Sequence, residues 1–273
     1  MRLSDLTVLV RGGGEMGSGI AHRLHQSHMR VLITETAAPT AVRRTVAFAE
    51  AVYEGEQTVE GVKAVRIEDP DGAKDVWSGN AIPLIVDPHA GCRGRLEPRV
   101  LVDAVMAKKN SSTRITDAPL VIGVGPGFTA GVNAHAVVES NRGYYLGRVI
   151  WDGSAEPDTG APAPVGGHTY ARVLRAPRPG RFSALKAIGD FAACGEVIGE
   201  VEGAPVRAEI SGIVRGLIRD GIRVAQGLKI GDIDPRGERG YCYVISDKAR
   251  AIGGGVLEAI LHSFNGLEVQ IGD

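Results

Sequence analysis

Two glycine-rich turns, each entered from an apolar run, are the parts of this sequence best suited to chemistry. The first, Gly12-Gly13-Gly14-Glu15-Met16-Gly17, follows Thr7-Val8-Leu9-Val10-Arg11. Glycine lets a backbone adopt positive φ and approach a ligand, so Gly-x-Gly-x-x-Gly at a helix start can aim amide N–H groups at a diphosphate. Gly12 suits the tight turn, Gly14 the close approach, and Gly17 the packing of helix on strand. Glu35 closes the next apolar run, Val31-Leu32-Ile33-Thr34, 18 residues after Gly17, where an acid can accept from a ribose hydroxyl. Glu15 argues the other way. A carboxylate at a helix N-terminus satisfies the dipole itself and repels a diphosphate unless it turns away or holds a metal. A plain βα turn uses the same glycines, and both readings stand.

The second turn, Gly125-Pro126-Gly127-Phe128-Thr129-Ala130-Gly131, leaves the run Leu120–Val124. Its amides and the Thr129 hydroxyl would sit at a strand end, where open α/β sheets bind ligands. Without a lysine after its last glycine it is no P-loop. A structural turn is the alternative. Arg43 and Arg44, beyond the second strand, could meet a phosphate or lie on a solvated helix face running from a Thr40 cap to about Val52. Lys108, Lys109 and Arg114 read as solvated surface. His22, His25 and His28 fall on the first helix and its end, and also read as surface residues. Cys242 has no base assigned to it and reads as a buried structural thiol.

The positioning elements come next. Strands are expected at 83–86 and 100–102 besides those already named, giving an α/β protein with a Rossmann-like N-terminal domain over 1–151. The turn-rich stretch 152–169 reads as a linker. After it, residues repeat at an offset of 32: Ala176 with Ala208, Gly180 with Gly212, Gly189 with Gly221, Gly195 with Gly227, Ile198 with Ile230, Gly199 with Gly231, and Val201 with Ile233. Two such halves predict a small pseudo-twofold β barrel sandwich over 170–238. The pattern resembles biotinyl/lipoyl domains, where a lysine at the central hairpin carries the prosthetic group. Here that hairpin is Val201–Val206, and no lysine lies between Lys186 and Lys229, so neither biotin nor lipoate is carried covalently. The final segment, 239–273, is expected to hold a strand at 240–245. A helix capped by Ser246 would follow, with Ile252, Val256, Leu257, Ile260 and Leu261 on its apolar face. Gly253-Gly254-Gly255 inside it costs helix propensity, which implies close packing of another backbone or a kink.

Totals exclude some classes. Lys plus Arg (31) nearly cancels Asp plus Glu (32), giving no general field for nucleic acid or anionic membrane. No stretch reaches the roughly 20 apolar residues of a membrane helix, and the N-terminus has no signal-peptide shape. Three scattered cysteines form neither a disulfide framework nor a metal pair, so the expected compartment is the reducing cytoplasm.

Several longer strings carry a family resemblance. They are Val10–Gly14, Ile115-Thr116-Asp117-Ala118-Pro119, Val124–Gly131, Gly227–Pro235, and Ile245-Ser246-Asp247-Lys248 with Gly253–Ala259. Together they resemble the accessory proteins of the selenium-dependent molybdenum hydroxylase system, over nearly the whole chain. Gly13 departs from the alanine expected there. The resemblance implies a role in maturing molybdenum hydroxylases that use a labile selenium, such as xanthine dehydrogenase-like enzymes. It carries no catalytic residues across. The leading expectation is therefore a maturation factor that binds a phosphate-bearing ligand, such as the molybdenum cofactor (molybdopterin) or a nucleotide, and docks on the apo-hydroxylase. Its phosphate site would be Gly12–Gly17 with Gly125, Gly127, Thr129 and Gly131, with Glu35 and Arg43 discriminating the ligand and the barrel sandwich as docking surface. Two rivals are an NAD(P)-dependent oxidoreductase, disfavoured by the lack of a Tyr-x-x-x-Lys pair, and a non-catalytic scaffold. Self-association is left open.

Overall fold

The computed structural model describes residues 3–107, 109 and 112–264. They fall into two compact units, one drawn from Met1–Pro39, Phe48–Asp158 and Ile245–Asp273, the other from Thr40–Ala47 and Thr159–Val244.

The first unit is built on strands, of which the central ones (7–11, 30–35, 82–86, 100–103, 120–124 and 136–138) are apolar and buried on both faces while the edge strands are partly exposed. They are β1 (Thr7–Arg11), β2 (Arg30–Glu35), β3 (Glu56–Val59), β4 (Val62–Ile67), β5 (Ile82–Val86), β6 (Val100–Asp103), β7 (Leu120–Val124), β8 (Thr129–Ala130), β9 (Ala136–Val138), β10 (Val149–Ile150) and β11 (Gly153–Ser154). Nine form one mixed sheet in the order β10-β9-β7-β6-β1-β2-β5-β4-β3, while β8 and β11 pair separately. The strands from β9 through to β4 run parallel, and the edge strands β3 and β10 are antiparallel to their neighbours. Helix α1 (Glu15–Gln26) packs beside the C-terminal helix (Asp247–Phe264), which also covers β7, β9 and β10. Among the described residues between them lie short helices: α2 (Ala51–Glu54), α3 (Ala73–Ser78) and α4 (Arg93–Leu96); the helix Asp247–Phe264 is α5.

Ser246 accepts from the Ala249 amide at 3.2 Å, as an N-cap should. The glycines of α5 explain themselves by proximity. A Cβ on Gly255 would lie 2.1 Å from the Gly147 carbonyl oxygen, and one on Gly253 would lie 3.1 Å from that of Gly19. Ile252, Val256 and Ile260 are buried as expected, whereas Leu261 faces solvent.

The second unit holds two antiparallel four-stranded sheets. Its strands are β12 (Val173–Arg175), β13 (Gly180–Ala184), β14 (Phe191–Ala192), β15 (Val197–Val201), β16 (Ala204–Arg207), β17 (Gly212–Leu217), β18 (Arg223–Val224) and β19 (Lys229–Asp234). One sheet runs β12-β19-β17-β14 and the other β16-β15-β13-β18. The offset of 32 carries β13 onto β17, β14 onto β18 and β15 onto β19. Gly189 and Gly221, and Gly195 and Gly227, take positive φ at equivalent corners. Between the sheets lies a core of Phe182, Ile198, Val201, Val214, Ile230 and Ile233.

Several expectations are corrected. The fold is not the expected pairing of a Rossmann-like domain with a biotinyl/lipoyl-like barrel-sandwich module. It is a large mixed nine-stranded sheet together with two antiparallel half-barrel sheets. The local strand–glycine–helix unit at β1-α1-β2 suggested repeated helical crossovers, but later strands are joined by loops and helices of four to six residues. The barrel region likewise is not one contiguous segment, since 40–47 cluster with it. The helix expected from Thr40 to Val52 is instead two 3-10 turns, Arg44–Val46 and Phe48–Glu50, ahead of α2. Residues 240–245 form no strand; a 3-10 turn spans Arg239–Cys242.

Candidate functional site

Side chains alternate along β1, so Val8 and Val10 face one side of the sheet while Leu9 and Arg11 face the other. Arg11 thus ends the strand on the same face as the core of Leu9, Leu32, Leu101 and Val121. It stands opposite Asp103 at the end of β6, its parallel neighbour. The chain leaves β1 toward β2 and β6 toward β7, so the two strand ends flank the point where connections diverge, the usual ligand crevice of an open α/β sheet.

Arg11 is buried, and its charge is matched by Asp103 at 2.8 Å. One amino group also donates to the Thr113 hydroxyl, and the other to the Pro88 carbonyl at 3.0 Å and the Ser112 hydroxyl at 3.1 Å. Thr113 donates in turn to Asp103 at 2.5 Å. The Arg11 Nε is buried with no hydrogen-bond partner among the described residues.

Beside this guanidinium opens a cavity of about 300 Å³ whose charged and polar lining includes Arg11, His89, Arg93, Ser112, Arg114 and Asp117. Three arginines line it; Asp103 pairs with Arg11 and Asp117 with Arg93, which leaves the positive charge of Arg114 in excess, a balance that favours an anion. The loop after β5 forms one wall. Asp87 anchors it, accepting the Cys92 amide at 2.7 Å, and Ala90 takes a left-handed φ of 52°. Burial raises the Asp87 pKa, but amides of Cys92, Gly91 and His89 outweigh it and hold the carboxyl below its ordinary value. Burial, then Asp87, pushes the Cys92 thiol up to about 12. Cys92 is therefore a packing residue here. Asp117 accepts the Arg114 amide at 2.9 Å and pairs with Arg93 at 3.3 Å.

The structure places the expected glycine sites differently from one another. At the first turn Gly12 has φ 90°, Gly17 lies against it, and Gly14 is the N-cap of α1 with open space beside it. A Cβ on Gly17 would lie 1.8 Å from the Gly12 carbonyl oxygen, so close packing is the reason for that glycine. The Gly13 amide donates to Glu35 Oε2 at 2.7 Å, and Thr36 donates to its Oε1 at 2.7 Å. Both oxygens expected for a ribose hydroxyl thus hold backbone, and the Gly13 carbonyl accepts from Ala49 at 2.8 Å. Glu15 and Met16 begin α1, both half-buried.

At the second turn, Gly125 donates to Val138, Thr129 to Asn133 Oδ1 and Gly131 to Ala134, at 2.9, 2.8 and 2.9 Å. Phe128 folds beneath it onto Gly123, and the Thr129 hydroxyl meets Ser154 at 2.8 Å. Gly127 is exposed at the bend, with φ 101°. Arg43 belongs to the second unit, where it donates to the Tyr241 and Val244 carbonyls at 2.6 and 3.0 Å. Arg44 donates to Leu217 at 3.1 Å. These arginines tie backbone together. Lys108 lies outside the described residues, as do Met1 and Arg2. Burial, then repulsion from His22 and His28, lowers the His25 pKa. Among the described residues no three of His, Cys, Asp and Glu are grouped to hold a metal, and no helix is long and apolar enough to cross a membrane.

Sequence reasoning passed over Arg11, His89, Arg93 and Asp117 and assigned Arg114 to surface. One signal was available for Arg11: a charged residue two positions after Leu9 in a strand buried on both faces.

No protein-family model matches the chain. It is similar to the uncharacterized protein YqeB of Escherichia coli strain K12, 47% identical over 254 residues, which are 93% of this chain and 47% of the relative. The chain thus spans about half the length of the curated relative it matches. Among solved structures it matches TcdA (CsdL), with 11% identity, 96% of this chain, 89% of that one and a TM-score of 0.33. An aspartoacylase family protein from Mesorhizobium loti matches with 11% identity, 84% of each chain and 0.26. A succinylglutamate desuccinylase/aspartoacylase from Rhodobacter sphaeroides matches with 15% identity, 84% of each chain and 0.25. These scores are too low to place the chain in any of those folds.

Proposed function

We propose that this chain binds a small phosphate-bearing ligand in the arginine-lined cavity at the ends of β1 and β6, and serves as an accessory factor in molybdenum hydroxylase maturation. The binding half rests on one observation: Arg11, fixed by Asp103 and Thr113, borders a cavity that Arg93 and Arg114 also line. Guanidinium groups match phosphate oxygens in geometry as well as charge, and a preorganised group loses little freedom on binding. The maturation half rests on the sequence resemblance. A phosphate-bearing molybdenum cofactor, carried as cargo, suits such a lining, with Arg93 and Arg114 as its partners. The setting we propose is the cytoplasm, which the three free cysteines suit. The apo-hydroxylase is the proposed protein partner.

The NAD(P)-dependent alternative gains no support from Glu35, whose two oxygens hold the Gly13 and Thr36 amides. Titration calorimetry with pyrophosphate, and with molybdenum cofactor released from a donor enzyme, tests the reading. Arg114 is exposed, so Arg114→Ala should leave the fold intact and weaken binding by about tenfold, the worth of one charge-assisted hydrogen bond. Deleting the gene should abolish hydroxylase activity in the host. Silence in the calorimeter together with intact hydroxylase activity would leave only a scaffold.

A further inference from the structure

A second, wider cleft adjoins the arginine cavity. It has a volume of about 740 Å³, and Arg93 and Asp117 line both spaces. Arg93 is the divider: its Nη1 donates to the Ala90 carbonyl at 2.9 Å, and its Nη2 pairs with Asp117. Past it, the lining mixes apolar Pro98, Ile115, Ala118 and Pro119 with polar and charged Glu97, Arg99, Thr116 and His135.

His135 is the directional group in this cleft. Its Nδ1 accepts the Val121 amide at 2.9 Å, so the neutral ring carries its proton on Nε2. The Val121 contact fixes the ring as well as the tautomer. A fixed donor beside proline and isoleucine surfaces suits a flat ring with acceptor atoms on its edge, while the arginine cavity suits phosphate.

We infer that the two spaces form one bipartite site for a nucleoside diphosphate, with the phosphates at Arg11, Arg93 and Arg114 and the base in the cleft donated to by His135. This inference rests on the phosphate reading above and adds the ring. Titration calorimetry of the full chain with pyrophosphate and with ADP, GDP and CDP tests it. At least one nucleoside diphosphate should bind about tenfold or more tightly than pyrophosphate, from ring burial and one added hydrogen bond. His135→Asn keeps an acceptor for the Val121 amide and deletes the Nε2 donor. It should reduce that preference several-fold and leave pyrophosphate affinity unchanged, whereas Arg114→Ala should weaken both ligands alike. Equal binding of pyrophosphate and all three nucleotides would overturn the bipartite site while leaving the phosphate cavity standing. Failure of every ligand, pyrophosphate included, would overturn both.

Discussion

Burial and hydrogen bonding make the three cysteines chemically unequal. Cys92 and Cys242 are buried, and burial raises both thiol pKa values, whereas Cys194 is exposed. Since the thiolate is the nucleophile, iodoacetamide at neutral pH should modify Cys194 in the folded protein and leave the other two untouched until denaturant is added. Peptide mass spectrometry reads this directly, and labelling of Cys92 under native conditions would contradict the packing described for the loop after β5. The glycines of the first turn separate by the same kind of local argument. Gly17→Ala drives a methyl group into the Gly12 carbonyl and should cost about 3 kcal/mol, at the upper end for overpacking. Gly14→Ala meets open space at φ −66° and should change stability by less than about 1 kcal/mol. Urea melts of the two variants, run together, check the contrast.

Among the elements of the second unit, β17 and β19 are joined by an ionic cluster as well as by their ladder. The carboxylates of Asp232 and Asp234 are almost fully buried. Arg215 bridges them, donating to Asp232 and, at 3.2 Å, to Asp234, while Arg172 donates to Asp232. Arg215→Ala leaves Asp232 with Arg172 and Asp234 with Arg236, so it should destabilise the protein by about 1–3 kcal/mol in a urea melt, less than the loss of a sole partner. A loss below about 1 kcal/mol would give the cluster only the worth of a surface pair. The same cluster sets a pH dependence. Burial raises the Asp234 pKa, but Arg236 and Arg215 more than reverse this and hold it below its ordinary value. A depressed carboxylate stabilises the fold above its unfolded pKa, and that contribution is lost as pH falls through the folded pKa. Melting temperature should accordingly be insensitive to this group near neutrality and drop in the acid range, less steeply in Asp234→Asn. The elements themselves were unequally legible. Glycines recurring at an offset of 32 reported the twofold strand pattern because Gly189 and Gly221, and Gly195 and Gly227, mark corners that need positive φ, while Gly199 and Gly231 lie at equivalent places in β15 and β19. The segment 40–47 read as a helix because Pro39 and Thr40 imitate a helix start; the carbonyls that Arg43 and Arg44 serve lie more than 170 residues away, beyond any local pattern.

At the scale of the whole chain, the glycine turns and the arginine cavity tell one story about where charge is needed. Glycine spacing located the ends of β1 and β7 correctly, yet several amides there are engaged by Glu35, Val138, Asn133 and Ala134. Spacing shows where a backbone can bend; it carries no information on which distant groups will occupy the bend. The charged surface came instead from loops after β5 and before β7, brought together only by the register of β1 against β6. Those loops hold little regular structure, so their amides should open by local fluctuation more readily than those of the strands beneath. A ligand that bridges them adds free energy to the closed state alone, about 2.7 kcal/mol at a hundredfold excess over its Kd. Hydrogen exchange with and without saturating pyrophosphate should therefore show slower exchange at Ala90, Cys92, Arg114 and Asp117, whose amides are hydrogen-bonded within these loops. Exchange in the β15–β16 hairpin, in the other compact unit, should not change at early times. Slowing confined to the Gly12–Gly17 turn would instead return the phosphate to the site that the glycine spacing suggests.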